Sequence, residues 1–151
     1  LGRLSDHSHM VAVPLMNTQL VACASKDFIL KHGAPESLSD LNGIKLITQT
    51  ALQQSHALKQ FFKKEKISLQ GRDAHSCDDI EGVYQAVRSG MGIGLLLDVA
   101  TQKELSSGEF TSVLSTQNLP RKKLSLMYKK SQFQTQTQRA FKQYMKNALC
   151  D

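Results

Sequence analysis

No apolar run in this 151-residue sequence approaches the roughly 20 residues that a membrane-spanning helix needs, so no helical span is expected. Leu1 to Met10 lacks the apolar stretch of a secretory signal. Those opening residues, with no initiator Met, read like the middle of a domain, and the expectation is a fragment. Cysteine is scarce. Cys23, Cys77 and Cys150 are widely spaced and odd in number, and no Cys-x-x-Cys occurs. This is not a disulfide framework, and it points to a reducing compartment, the cytoplasm. Internal repeats and low-complexity segments are absent. So is the Gly-x-Ser-x-Gly elbow that presents a hydrolase nucleophile.

What is present suits one ordinary domain. Hydrophobic residues make up 40% of the chain and charged residues 21%, enough for a core and too little charge for a disordered tail. The net charge is +6. Its basic residues are scattered over Lys63, Lys64 and Lys66, Arg121 to Lys123, and Lys129 and Lys130. None interleaves with aromatics in the manner of a base-stacking surface. A solvated surface is the expected reading over a nucleic-acid face, and the charge would draw a small anionic ligand towards a cleft.

Residues Cys77 to Leu97 form the clearest local unit. Ile80, Val83, Tyr84 and Val87 fall at helical spacing. Asp78 or Asp79 can cap the start of that helix, and Gly90 can take the left-handed position that ends it. Ile93 to Leu97 reads as a buried strand. Around this unit, Met10 to Pro14 and Gln19 to Ala24 are β-type runs joined by a turn at Asn17 and Thr18. Lys26 to His32 is a short helix closed by Gly33, and Ser37 to Gly43 a helical turn feeding the strand Ile44 to Thr48. Gln53 to Lys66 reads as an amphipathic helix with Ala57, Leu58, Phe61 and Phe62 inward and a lysine-rich outer face. Ile67 to Gln70, Phe110 to Leu114 and Leu124 to Tyr128 read as strands. Asp98 caps a helix through Leu105 that stops at Gly108. A last helix, Thr137 to Leu149, turns Phe141, Tyr144, Met145 and Leu149 inward. Strands alternating with helices predict an α/β fold with a mainly parallel sheet.

Three patterns suggest chemistry only superficially. Gly90, Gly92 and Gly94 close a helix and open a strand, whereas a nucleotide loop follows a strand and opens a helix. They fit packing and termination. His7 with His9, and His75 with Cys77, are pairs at spacing two that would face one way on a strand. No further close-spaced set completes a metal site. Asp6, His7 and Ser8 hold triad residue types, but neighbours in sequence rarely form a triad.

Taken in order, the segments resemble one family. Gly2 to Asp6 with Met10 to Leu15, then Leu20 to Phe28, His32 to Pro35 and Asp40 to Gly43, then Cys77 to Asp79 through Gly90 to Gly92, and finally Gly108 to Leu114, Leu124 to Tyr128 and a closing helix with Arg139 and Phe141 are similar to the effector-binding region of LysR-type transcriptional regulators. Cys77 stands where that family usually has Ser or Thr, Asp78 where Asn is common, and Leu97 in place of a frequent Pro.

The resemblance implies a type II periplasmic-binding-protein-like fold of two Rossmann-like subdomains. Residues 1–20 would be the tail of a partial first subdomain, 21–124 a complete second one, and 125–151 a crossover strand and helix returning to the first. It further implies a ligand-sensing domain that binds a small polar or anionic metabolite, with Ser8, Thr48, Gln49, Ser76 and Cys77 as ligand contacts. Thr48 and Gln49 end a strand, where α/β sheets place ligands. No enzymatic activity, cofactor, metal or membrane partner is expected. DNA would be reached only through a helix-turn-helix missing from this chain, and a homodimer or higher homo-oligomer is expected. The second reading is a type II solute-binding protein that serves a transporter.

Overall fold

The structure is a computed structural model, and it describes residues 9–67, 74–114, 119–130 and 135–149. The chain divides into two compact units. Among the described residues one comprises 19–120 and the other 9–18 together with those from 121 onward, so the backbone passes between them at 18/19 and at 120/121.

In the first unit the C-terminal part of β1 (Met10–Ser25) joins β2 (Leu46–Gln49), β3 (Ala74–Cys77), β4 (Ile93–Leu97) and β5 (Phe110–Val113) in the order β3-β2-β4-β1-β5. β2 is parallel to both β3 and β4, while β1 is antiparallel to β4 and β5. The sheet is therefore mixed, against the expectation of a mainly parallel one. β1 enters this sheet from the other unit and not through a crossover within it, so nothing requires it to run with its neighbours.

Successive residues of these strands enter different cores, as the two-residue period demands. Leu20, Ala22, Ala24, Leu46, Ile93 and Leu95 pack with Phe28, Leu58 and Phe62. Cys23, Ile47 and Leu96 pack with Val83, Tyr84, Val87 and Phe110. Burial on both faces explains why β4 reads Ile-Gly-Leu-Leu-Leu with no polar alternation.

Local capping chemistry sets the helices. α1 (Lys26–His32) is capped by Ser25, whose hydroxyl accepts from Phe28 N, and it ends at Gly33. A single 3₁₀ turn follows at Leu38–Leu41. Ahead of it the Asp40 carboxylate accepts from Ser37 N at 2.8 Å and Glu36 N at 3.0 Å. Those bonds, the ones from Ser37 first, hold its pKa below the usual carboxylate value.

The amphipathic helix expected from Gln53 to Lys66 is α3 (His56–Lys64), and a short helix that was not expected, α2 (Thr50–Gln53), precedes it. Ser55 separates the two as the N-cap of α3, its hydroxyl accepting from Leu58 N at 3.3 Å, a local bond that competes with continued helix. α3 ends in a Schellman motif, with Lys66 N on Lys63 O at 3.2 Å and Ile67 N on Phe62 O at 2.9 Å. Lys66 takes the left-handed conformation there, φ 57°. Ile67 is buried, and the rest of the strand expected at Ile67 to Gln70 lies outside the described residues.

α4 (Ile80–Arg88) buries Val83, Tyr84 and Val87. It stops at Gly90, φ 71°, with Gly90 N on Val87 O and Met91 N on Ala86 O. This is the left-handed stop expected from sequence. α5 (Asp98–Ser106) starts one residue differently: Leu97 is its N-cap and Asp98 its first residue. Arg88 ties the layer together. It pairs with Glu81 at 3.5 Å, Glu104 at 3.6 Å and the Glu109 carboxylate, and lies 5.7 Å over the Tyr84 ring and 5.9 Å over Phe110.

In the second unit the first part of β1 pairs with β6 (Arg121–Lys129), and α6 (Gln136–Leu149) follows. Two short strands with a turn at Asn17 and Thr18 were expected, yet β1 runs unbroken through both residues. Ladder partners along its length, β6 and then β4 and β5, outweigh the weak turn preference of Asn17. Thr135 and Gln138 form a reciprocal capping box at the start of α6, at 3.2 and 3.1 Å. Of the expected inward face, Met145 and Leu149 are half-buried, whereas Phe141 and Tyr144 are 52% and 68% exposed. Lys142 is half-buried as well, with its ammonium 5.0 Å from the Tyr128 ring centre.

Candidate functional site

The parallel pairing of β2 and β3 places Thr48 beside Ser76 and Gln49 beside Cys77. Four of the five residues expected at a ligand site therefore meet at one carboxyl-terminal strand edge, directly before the start of α4. Open α/β sheets take ligands at such an edge. Ser8 lies outside the described residues.

The four are not equivalent. Thr48 is buried, and its hydroxyl donates to Leu95 O at 3.2 Å. It fastens β2 to β4 and turns away from the edge. Gln49 is half-buried and its amide donates to Asp78 O at 3.3 Å. Ser76 is exposed and Cys77 half-buried. Sequence reasoning missed Thr50, whose hydroxyl sits 3.2 Å from Cys77 O and 3.1 Å from Asp78 Oδ1. Its single proton serves one of them at a time. The signal for Thr50 was its place one residue past the strand end, facing a β3–α4 turn that only the sheet register brings near.

Asp78 and Asp79 divide the roles that sequence left open between them. Asp79 is the N-cap, accepting from Gly82 N at 2.6 Å, while Asp78 receives Thr50. Gly82 fits here because a side chain would crowd the turn. A Cβ would stand 3.1 Å from the Cys77 Cβ and 3.3 Å from Asp79 Oδ1. Asp78, Asp79 and Glu81 are all exposed. They offset the positive end of the α4 dipole, so the described residues at this edge offer amide, hydroxyl and carboxylate groups. Replacing Asp79 by Ala should cost about 1 kcal/mol, read as a lower urea midpoint. Asp79→Asn should recover most of that loss, since the amide oxygen still accepts.

Cys23 and Cys77 are free thiols. Burial, helped by the charge of Glu104, pushes the Cys23 thiol up to about 12. It therefore holds almost no thiolate at neutral pH. In a timed alkylation followed by peptide mass mapping, Cys77 should react in the native protein and Cys23 only after unfolding. Equal native rates would contradict this burial.

A cavity of about 510 Å³ lies at the other end of the sheet, beside the amino-terminal ends of β2 and β4. Phe28, His32, Ile44, Lys45 and Met91 line it, and none of the expected site residues reaches it. Among the described residues, no group of three or more His, Cys, Asp or Glu is placed to hold a metal ion. Among them, too, no helix is long and apolar enough to cross a membrane.

Comparison with known proteins bears on these features. The profile of a family described as the LysR substrate binding domain matches residues 1–150. The fold is similar to the regulatory domain of CrgA, a LysR-type transcriptional regulator from Neisseria meningitidis, with a TM-score of 0.79 and 20% identity over 98% of this chain and 72% of that one. It is similar to the full-length Vibrio cholerae virulence activator AphB, with a TM-score of 0.74 and 18% identity over 96% of this chain and 50% of that one. The effector domain of the Pseudomonas aeruginosa regulator AmpR gives a TM-score of 0.74 and 16% identity over 96% and 68%. The chain spans about half the length of full-length CrgA and AphB, at 51% and 50%. No match was found among curated protein sequences.

Proposed function

The chain belongs to the LysR substrate binding domain family, and from that premise we propose that it senses a small polar metabolite for a DNA-binding regulator. It is a regulatory domain of the LysR type with the type II periplasmic-binding-protein-like fold. The family match favours this reading over a solute-binding protein that serves a transporter.

The observation that carries the proposed site is the convergence of Gln49, Ser76 and Cys77 on one carboxyl-terminal edge in register, next to a helix start. Gln49 and Ser76 supply amide and hydroxyl contacts, the Cys77 backbone shapes the floor, and Thr48 holds β2 against β4. The exposed carboxylates of Asp78, Asp79 and Glu81 disfavour a dianion and suit a neutral or amine-bearing metabolite. Binding shifts the conformational balance of the domain, and the regulator reads that shift. On this proposal the intact protein is a cytoplasmic homodimer without enzymatic activity, and it reaches its operators through a helix-turn-helix outside this chain.

The test is a melting screen with amino acids and small organic acids, followed by calorimetric titration of the best compound. A true ligand at about 100 times its Kd adds about 2.7 kcal/mol of stability. Gln49→Ala and Ser76→Ala should each weaken its binding about tenfold or more. Undiminished affinity in both variants would sink the site.

A further inference from the structure

The lysine-rich face of α3 is a second surface with its own chemistry. His56, Lys59, Gln60, Lys63 and Lys64 line a shallow depression of about 670 Å³, and Lys66 follows at the helix end. All six side chains are exposed. Among the described residues, none of these lysines pairs with a carboxylate; the ion pairs found there all belong to Arg88. Of the apolar residues of the same helix, Leu58 and Phe62 are fully buried, Phe61 is half-buried against the core, and only the small Ala57 is exposed. The outer face is thus cationic and carries no apolar anchor.

That composition discriminates between partners. Protein interfaces are depleted in lysine and rely on buried aromatic or aliphatic hot spots, which this face lacks. Insertion at a membrane surface needs an apolar face turned outward, and here it is turned inward. Single-stranded nucleic acid needs exposed aromatics for stacking, and there are none. Lysine without arginine contacts phosphate as a point charge and does not read bases in bidentate fashion. At a rise of about 1.5 Å per residue, Lys59, Lys63 and Lys64 spread charge along roughly 7 Å of helix axis, and Lys66 follows just past the helix end. This arrangement matches a row of phosphates.

We propose that the outer face of α3 binds the phosphate backbone of duplex DNA without regard to sequence. The lysine geometry carries the duplex backbone; the choice of DNA over RNA rests on the regulator reading above. Neither Gln49 nor Ser76 lines this face, so the two proposals fail separately.

Fluorescence anisotropy of this chain with a duplex of scrambled sequence tests it. With about four lysines engaged, at about −0.9 each, the double-logarithmic salt slope should be about −3.6. Affinity should fall about 100-fold between about 50 and about 200 mM salt. Replacing Lys59, Lys63 and Lys64 together by Gln should flatten the slope to about −0.9 and weaken binding at least tenfold at the lower salt. Replacing the exposed Lys123, Lys129 and Lys130 of β6 and its end by Gln should leave affinity within about twofold. Gln49→Ala should leave it unchanged, which separates this outcome from failure of the ligand site. Equal losses from the α3 and β6 triples would mean net charge alone and would overturn the proposal. So would the absence of binding at about 50 mM salt, tighter binding of polyglutamate or single strands than of the DNA duplex, or a preference for duplex RNA.

Discussion

Gly92→Ala should destabilise the protein by about 3 kcal/mol, close to the largest single-residue effect available outside the big core side chains. A Cβ at Gly92 would stand 2.2 Å from Lys45 O and 2.9 Å from Lys45 Cβ. The first of these is backbone and cannot swing aside. The same carbonyl accepts from Ile93 N at 2.9 Å, and the next pair in the ladder is Leu46 with Ile93. Relieving the overlap therefore means parting β2 from β4 where their pairing begins. Gly94→Ala is a useful contrast, since its Cβ would meet Val87 Cγ2 at 2.5 Å, a side-chain atom and not backbone. It should cost less, about 1–2 kcal/mol. The check is urea unfolding, with a lower midpoint at constant slope. A Gly92→Ala variant within about 0.5 kcal/mol of the parent would refute the close approach.

Phe62→Ala should cost about 3–5 kcal/mol. Phe62 is 1% exposed, packs edge-on against Phe61 with ring centres 5.4 Å apart, and belongs to the core on the α3 side of the sheet. Its loss leaves a cavity beneath α3, which only Leu58 and Phe62 anchor as buried residues. Out of a usual total of about 5–15 kcal/mol, the variant should still fold but melt far earlier. By contrast, Lys59, Lys63 and Lys64 on the outer face should each tolerate Gln within about 0.5 kcal/mol. Similar losses on both faces would mean that α3 is not packed as described.

How far the sequence discloses this protein depends on how local each feature is. The α4 unit is legible because its signals sit within a few residues: Asp79 at the cap, Val83, Tyr84 and Val87 on one face, Gly90 at the stop. α2 is not legible, because the apolar pattern begins only at Ala57, beyond the gap at Ser55. The continuity of β1 is not legible at Asn17 and Thr18, since it depends on partners more than 70 residues away, such as Leu97 opposite Leu20. In α6 apolar periodicity marks Met145 and Leu149, which are half-buried, together with Phe141 and Tyr144, which are exposed. At the candidate site, residue types identify a polar strand end. Only the fold shows that Thr48 spends its hydroxyl on Leu95, and that Thr50 reaches Asp78 across 28 positions of sequence.

The central claim is that ligand binds at the carboxyl-terminal edge of β2 and β3. The most direct measurement is an amide chemical-shift map, taken while the best compound from the melting screen is titrated into the labelled protein. The account predicts the largest changes at Gln49, Thr50 and Ser76 to Glu81, with Lys45 and Met91 unmoved. Changes centred instead on Phe28, His32, Lys45 and Met91, around the cavity at the amino-terminal edge, would contradict it.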